Sequence, residues 1–311
     1  MRATLQQHEA VLLAHALVAR LAERAGARVL FIKGPTAVAL GVRPDRPSTD
    51  VDVLVDPPAF APLCTALESA GWVLRTPTGN LRHAGDLVFD HSAHYIHPEW
   101  PCDLDVHYNF PGFLAPPQQV FEALWQRRTT VEVAGQEIPT PDAVGQALVV
   151  GLHALRDPKT PNSRADLAHL ARRVPLADDD AVSLSRLARD TGSTGSAATL
   201  LASLGVRALP LTAPEERRLS DWQLRQSGLG RSTAWLAEVQ QAPMRSKPAT
   251  VGRALFPPRE YLVSSHLADD LTRAQLARLH ATRWGRGAAA LPRAALVLVR
   301  RRRLVRRSAP R

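Results

Sequence analysis

The stretch Ser48-Thr49-Asp50-Val51-Asp52-Val53-Leu54-Val55 constrains this chain more than any other. Its apolar, β-branched residues favour an extended strand, and along a strand successive side chains point to opposite faces. Asp50 and Asp52 therefore share one side, while Val51, Val53 and Val55 turn the other way, toward a core. Two neighbouring carboxylates repel and raise each other's pKa unless a cation lies between them. A hard divalent ion such as Mg2+ suits the pair, because it takes one or two carboxylates and keeps positions for substrate phosphates.

Upstream, Arg28-Val29-Leu30-Phe31-Ile32-Lys33-Gly34-Pro35-Thr36 reads as an apolar strand broken at Gly34 and followed by a helix. Strand, glycine turn and helix start aim backbone N–H groups at an anion. Gly34 lets the backbone approach a phosphate closely. Pro35 lacks an N–H but suits a first helical turn, so Thr36 is expected to supply the hydroxyl and the next N–H. Lys33 is placed to neutralise phosphate charge, and Arg46 and Ser48 to line the mouth. Downstream, Cys102-Asp103-Leu104-Asp105-Val106-His107-Tyr108 is a second alternating strand with acids on one side. His107 shares that side, either touching substrate or bonding an acid. Together these features imply phosphoryl or nucleotidyl transfer.

The ordered set Phe31-Ile32-Lys33-Gly34, Arg46-Pro47-Ser48-Thr49-Asp50-Val51-Asp52-Val53-Leu54-Val55 and Asp105-Val106-His107-Tyr108 resembles the uncharacterised bacterial nucleotidyltransferase family of the DNA polymerase β-type superfamily. That family reads Leu-Lys-Gly, Arg-x-x-x-Asp-Ile-Asp-Leu-Leu-Val and Glu-Leu-His-Trp at these places. The match is best over residues 28–108. Superfamily members place Gly or Ser after the turn glycine, where this chain has Pro35. The resemblance implies a nucleotidyltransferase in which Asp50, Asp52 and Asp105 hold Mg2+, with Mn2+ as the alternative ion. Asp105, rather than its neighbour Asp103, would complete the metal site and help deprotonate the acceptor. It further implies that Lys33, Gly34, Thr36 and Ser48 bind an NTP, ATP being favoured, whose NMP group passes to a hydroxyl of an unknown acceptor: small molecule, peptide, protein or RNA. The alternatives are a kinase on the same scaffold and a non-catalytic nucleotide- or protein-binding module. The presence of all three acids argues against the last.

The element pattern predicts an α+β fold: a small mixed β-sheet with flanking helices over residues 1–140, a mostly α-helical domain over 141–290, and a basic tail over 291–311. Helices are expected near 5–26, 35–41, 58–70 and 117–127, and strands near 28–32, 51–55, 72–75, 86–90, 93–97 and 102–108. A hairpin is expected over 129–138, a linker over 241–250, and late helices including 231–240, 270–283 and 292–305. His91, His94 and His97 are three apart, a spacing that alternates faces on a strand and does not converge on zinc. His153 and Asp166, on successive helices, are expected to meet across their turn.

A hydrophobic content of 45% and a charged content of 22% are ordinary for a globular protein. The sequence reads as cytoplasmic: it has no leader, no transmembrane run, and two isolated cysteines, Cys64 and Cys102, without metal or redox spacing. Most of the net charge of +10 comes from Arg293, Arg300–Arg303, Arg306, Arg307 and Arg311. That tail would be a solvated helix end or would dock on an anionic surface, lipid or RNA.

Overall fold

The computed structural model describes residues 5–75, 92–173, 178–226, 244–256 and most of 272–292. Two compact units form, Met1–Arg75 with His91–Leu219, and Thr76–Asp90 with Ser220–Arg311. In the first unit, helix α1 (Gln7–Arg24) buries Ala10, Val11, Ala14, Val18 and Ala22 at helical spacing. The Glu9 carboxylate accepts the Gln6 N–H at its start, and Gly26, at φ 63°, turns the chain out of it.

Next come β1 (Val29–Ile32), α2 (Gly34–Ala39), β2 (Asp50–Val55), α3 (Phe60–Ser69), β3 (Val73–Leu74), β4 (Ser92–His97) and β5 (Trp100–His107). The five strands lie in the order β1-β2-β5-β4-β3. β2 and β5 run parallel, and the other neighbours run antiparallel. This mixed sheet, flanked by helices, is the expected α+β class.

Alternation divides the sheet between two cores. Phe31, Val51, Val53, Val55, Leu104 and Val106 pack with α1 and α3 residues such as Val11, Val18, Leu63 and Leu67. From the other face, Leu30, Ile32 and Leu54 join a second core, which the rest of this unit builds. Its elements are α4 (Pro117–Trp125), α5 (Ala143–Arg156), α6 (Pro161–Arg173), α7 (Asp178–Asp190) and α8 (Ala198–Ser203). Between α4 and α5 lies the hairpin of β6 (Arg128–Val133) and β7 (Gln136–Pro141). Ala134 and Gly135, at φ 51° and 73°, give it a two-residue turn whose twist matches paired strands. Helix α9 (Ala213–Gln226) follows α8, so the described residues after β7 are mostly helical, as their pattern suggests.

In the second unit, α10 (Lys247–Leu255) begins where a linker over 241–250 was expected. Its proline falls in the first turn, where the missing N–H has no intrahelical partner to lose. Another helix spans 273–282, where the Thr272 hydroxyl accepts the Gln275 N–H and Gln275 Oε1 accepts the Thr272 N–H. The expected strand near 86–90, the helix near 231–240, His91 and the tail from Arg293 onward lie outside the described residues. Among the described residues no helix is long and apolar enough to cross a membrane.

Candidate active site

Parallel pairing of β2 with β5 sets Asp52 opposite Asp105 and Asp50 opposite Asp103. Residues at matching positions point to the same face, so a local alternation in two distant segments becomes one acidic surface. Carboxylate oxygens of Asp52 and Asp105 and a ring nitrogen of His107 all lie within 4.8 Å of one another. Asp52 is 4% exposed. Its Oδ1 takes the Lys33 ammonium at 2.6 Å and the His107 Nε2–H at 2.9 Å. Burial alone would raise the Asp52 pKa, but the Lys33 charge and the His107 hydrogen bond outweigh it and hold the carboxyl below its usual range. Asp50 goes the other way: burial and the negative charge of Asp52 push it up to about 6.

The turn at Lys33-Gly34 is strained. Lys33 has φ 58° and ψ −150°, a region that is essentially glycine's own and costs a side-chain-bearing residue about 1–3 kcal/mol. Gly34 follows at φ 47°, and a Cβ there would meet Ser48 Oγ at 3.4 Å. Helix α2 is short, so the turn itself, more than a helix dipole, would face an anion. Three cations reinforce it. Lys33, Arg43 and Arg46 line one cleft together with Gly34, Asp50, Asp52, Val150, His153 and Asp166. Arg43 donates to Ser48 Oγ at 2.9 Å. Arg46 forks onto both Asp166 carboxylate oxygens, at 2.6 and 2.7 Å.

Of the residues singled out from the sequence, Lys33, Gly34, Asp50 and Asp52 line this cleft, and Asp105 stands beside Asp52. Ser48 packs against Gly34. Thr36 is fully buried under the turn, its hydroxyl donated to the Lys33 carbonyl at 2.8 Å. Asp103 is 43% exposed on its side chain and pairs with Arg75. His94 donates Nδ1–H to Asp105, which raises the His94 pKa. His97 instead packs against Trp72 and Trp100. Asp166 bonds Arg46 where a meeting with His153 was expected. Two residues escaped the sequence reading. Arg43 sits three before Arg46, and Gln146 is one amide inside the apolar run Ala143–Val150, the signal that could have exposed it.

A model of the family described as "Uncharacterised nucleotidyltransferase" matches residues 1–205. The chain belongs to that family. No curated protein matches the sequence. Among solved structures, an antigenic nucleotidyltransferase-like protein from Paracoccidioides brasiliensis is 14% identical, with a TM-score of 0.40 over 66% of this chain and 96% of that one. The lincosamide antibiotic adenylyltransferase LnuA, lincomycin-bound, is 17% identical, with a TM-score of 0.32 over 58% of this chain and 96% of that one. Both overlays are too loose to transfer residue roles.

In this nucleotidyltransferase the donor set beside the turn is rich in carboxylate oxygen, which fits a hard divalent ion better than a soft one. Burial raises the Asp50 pKa most, and the Asp52 charge adds to it, so a cation bound between the two carboxylates would favour the ionised form of Asp50. Asp50 also lines a larger cavity, about 330 Å³, with Gln7, Thr49, His97, Trp100 and Asp103, within the range of small-molecule sites.

Proposed function

We propose that this nucleotidyltransferase moves an NMP group from an NTP, with ATP the favoured donor, to a hydroxyl of an acceptor. The observation that carries this reading is the adjacency of Asp52 and Asp105 on parallel strands beside a strained turn ringed by Lys33, Arg43 and Arg46. Asp50, Asp52 and Asp105 would hold Mg2+ or Mn2+, whose contribution when bound is to neutralise charge on the attacked phosphorus and the leaving pyrophosphate.

The chain's own groups do the rest. Gly34 lets the triphosphate approach the backbone, and Ser48 closes the space behind it. Arg43 and Arg46 offset phosphate charge, and Arg46 arrives pre-aimed because Asp166 fixes its guanidinium. Lys33 stands between Asp52 and the phosphates and serves both. Asp105, oriented by His94, takes the proton of the acceptor hydroxyl as its oxygen bonds to the α-phosphorus and the bond to pyrophosphate breaks. Because Asp50 is shared with the cavity holding Trp100 and His97, that cavity is the favoured acceptor side. Catalysis is then mainly positioning and electrostatic stabilisation.

Parallel reactions with ATP labelled at the α- or the γ-phosphate, Mg2+ and a mixture of hydroxyl-bearing metabolites test the reading. Transfer of α-label with pyrophosphate release is expected, and Asp52→Asn should lower it about 100-fold or more with an unchanged circular dichroism spectrum. Transfer of γ-label with ADP release would make the enzyme a kinase. A wild-type protein that fails to bind Mg-ATP in calorimetry would end both readings.

A further inference from the structure

Lys33 holds a main-chain conformation that favours glycine, and something must keep it there. Its N–H is not used by the sheet, since the pairing of β1 with β2 ends at Ile32 opposite Asp52. Instead Gln146 Oε1 accepts that N–H at 3.0 Å, from 113 residues away on α5. The other end of the same amide is equally committed. Gln146 Nε2 lies 3.0 Å from the Phe31 carbonyl, 2.9 Å from Thr36 Oγ1 and 2.6 Å from Thr140 Oγ1. Thr140 donates onward to the Phe31 carbonyl at 2.8 Å, and Thr36 to the Lys33 carbonyl at 2.8 Å. One fully buried side chain thus holds the main chain just before the strained residue directly, and the Lys33 carbonyl just after it through the Thr36 hydroxyl.

The grip is itself anchored. Asp142 caps α5 by accepting the Gly145 N–H at 2.8 Å, and Arg127 holds Asp142 at 2.7 Å. One helical step and two steps further along the same face, Val150 and His153 reach the cleft. A buried amide in an apolar helix is disfavoured unless it is fully bonded, and here every bond goes to the turn or to a residue that supports it.

We propose that Gln146 is a positioning residue that locks Lys33 in its strained conformation, so that the ammonium points at Asp52 and at the incoming phosphates. The second half of that statement rests on the nucleotide-transfer reading; the first does not. Without the clamp, the main chain at Lys33 relaxes toward an ordinary conformation and the side chain, now 13% exposed, swings to solvent.

The chain has three lysines, Lys33, Lys159 and Lys247, which makes a direct readout available. The full-length protein is treated with a limiting amine-acetylating ester, and each lysine's rate is followed by mass spectrometry. In the wild type Lys33 should react at least about tenfold more slowly than exposed Lys159, because it is enclosed and ion-paired. Gln146→Met should raise the Lys33 rate at least about fivefold and leave Lys159 unchanged, and it should weaken Mg-ATP binding in calorimetry about tenfold. Thr36→Val, which keeps the shape but removes one strut, should move Lys33 the same way by a smaller factor, and it serves if Gln146→Met does not fold. A folded variant in which Lys33 acetylation matches the wild type overturns the proposal. Absence of Mg-ATP binding by the wild type would instead strike the nucleotide reading, since the acetylation result needs no nucleotide.

Discussion

At the scale of single residues, a buried histidine beside the turn is expected to make stability depend on pH. His15 is fully buried, donates Nδ1–H to the Val11 carbonyl at 2.7 Å and lies 5.4 Å, ring to ring, from Phe31. Burial pushes its pKa down to about 4, against the opposing pull of that hydrogen bond and of the Asp52 charge. In the unfolded chain the same ring titrates near 6.5. Between these values the unfolded state binds more protons, so the stability His15 allows is present above pH 6.5 and is lost as the pH falls toward 4. The loss should approach roughly 3 kcal/mol, at about 1.4 kcal/mol per pKa unit. Urea unfolding measured from pH 7.5 to 4 should show it, and His15→Leu should flatten that slope. An unchanged slope in the variant would mean that other groups govern acid stability.

At the scale of elements, α6 matters because it holds a residue of the turn region from outside the sheet. Asp166 is nearly buried at 4% side-chain exposure, and Arg46 is at 22%. A forked, largely dry pair of this kind fixes the guanidinium in one plane. Asp166→Asn keeps the shape and loses the charge, so it should lower unfolding stability by about 2 kcal/mol and weaken Mg-ATP binding about tenfold as Arg46 loses its aim. Arg46→Lys should weaken binding comparably, because an ammonium cannot fork. Calorimetry and denaturant midpoints on both variants check this; binding indifferent to either substitution would reduce the pair to a structural tie.

At the scale of the whole molecule, helices α5 to α8 belong to the core of the catalytic unit. Leu30, Ile32 and Leu54 of the sheet share one apolar cluster with Val144, Leu148, Leu152, Leu170, Leu187 and Leu200. A chain ending at residue 140 would leave that sheet face bare, and at about 25 cal/mol per Å² of apolar area no single domain has the stability to spare. Such a chain should fail to unfold cooperatively, whereas one ending at residue 226 should melt cooperatively and still bind Mg-ATP. Thermal melts followed by circular dichroism decide it, and a cooperative transition in the shorter chain would refute the shared core.

Much of this could be read directly from the residues. Alternation over Asp50–Val55 placed two acids on one side and three valines on the other, because a strand's two-residue period is a property of the backbone. Gly34 marked the turn, because φ above zero is a local requirement that glycine meets, and the hairpin was legible as a stretch over 129–138. Folding alone decided that β5 lies parallel to β2 with Asp105 level with Asp52, that Asp166 seizes Arg46 from 120 residues away, and that Gln146 clamps Lys33. Those pairings follow from which surfaces bury one another once the elements meet, and no period within a single segment encodes that choice.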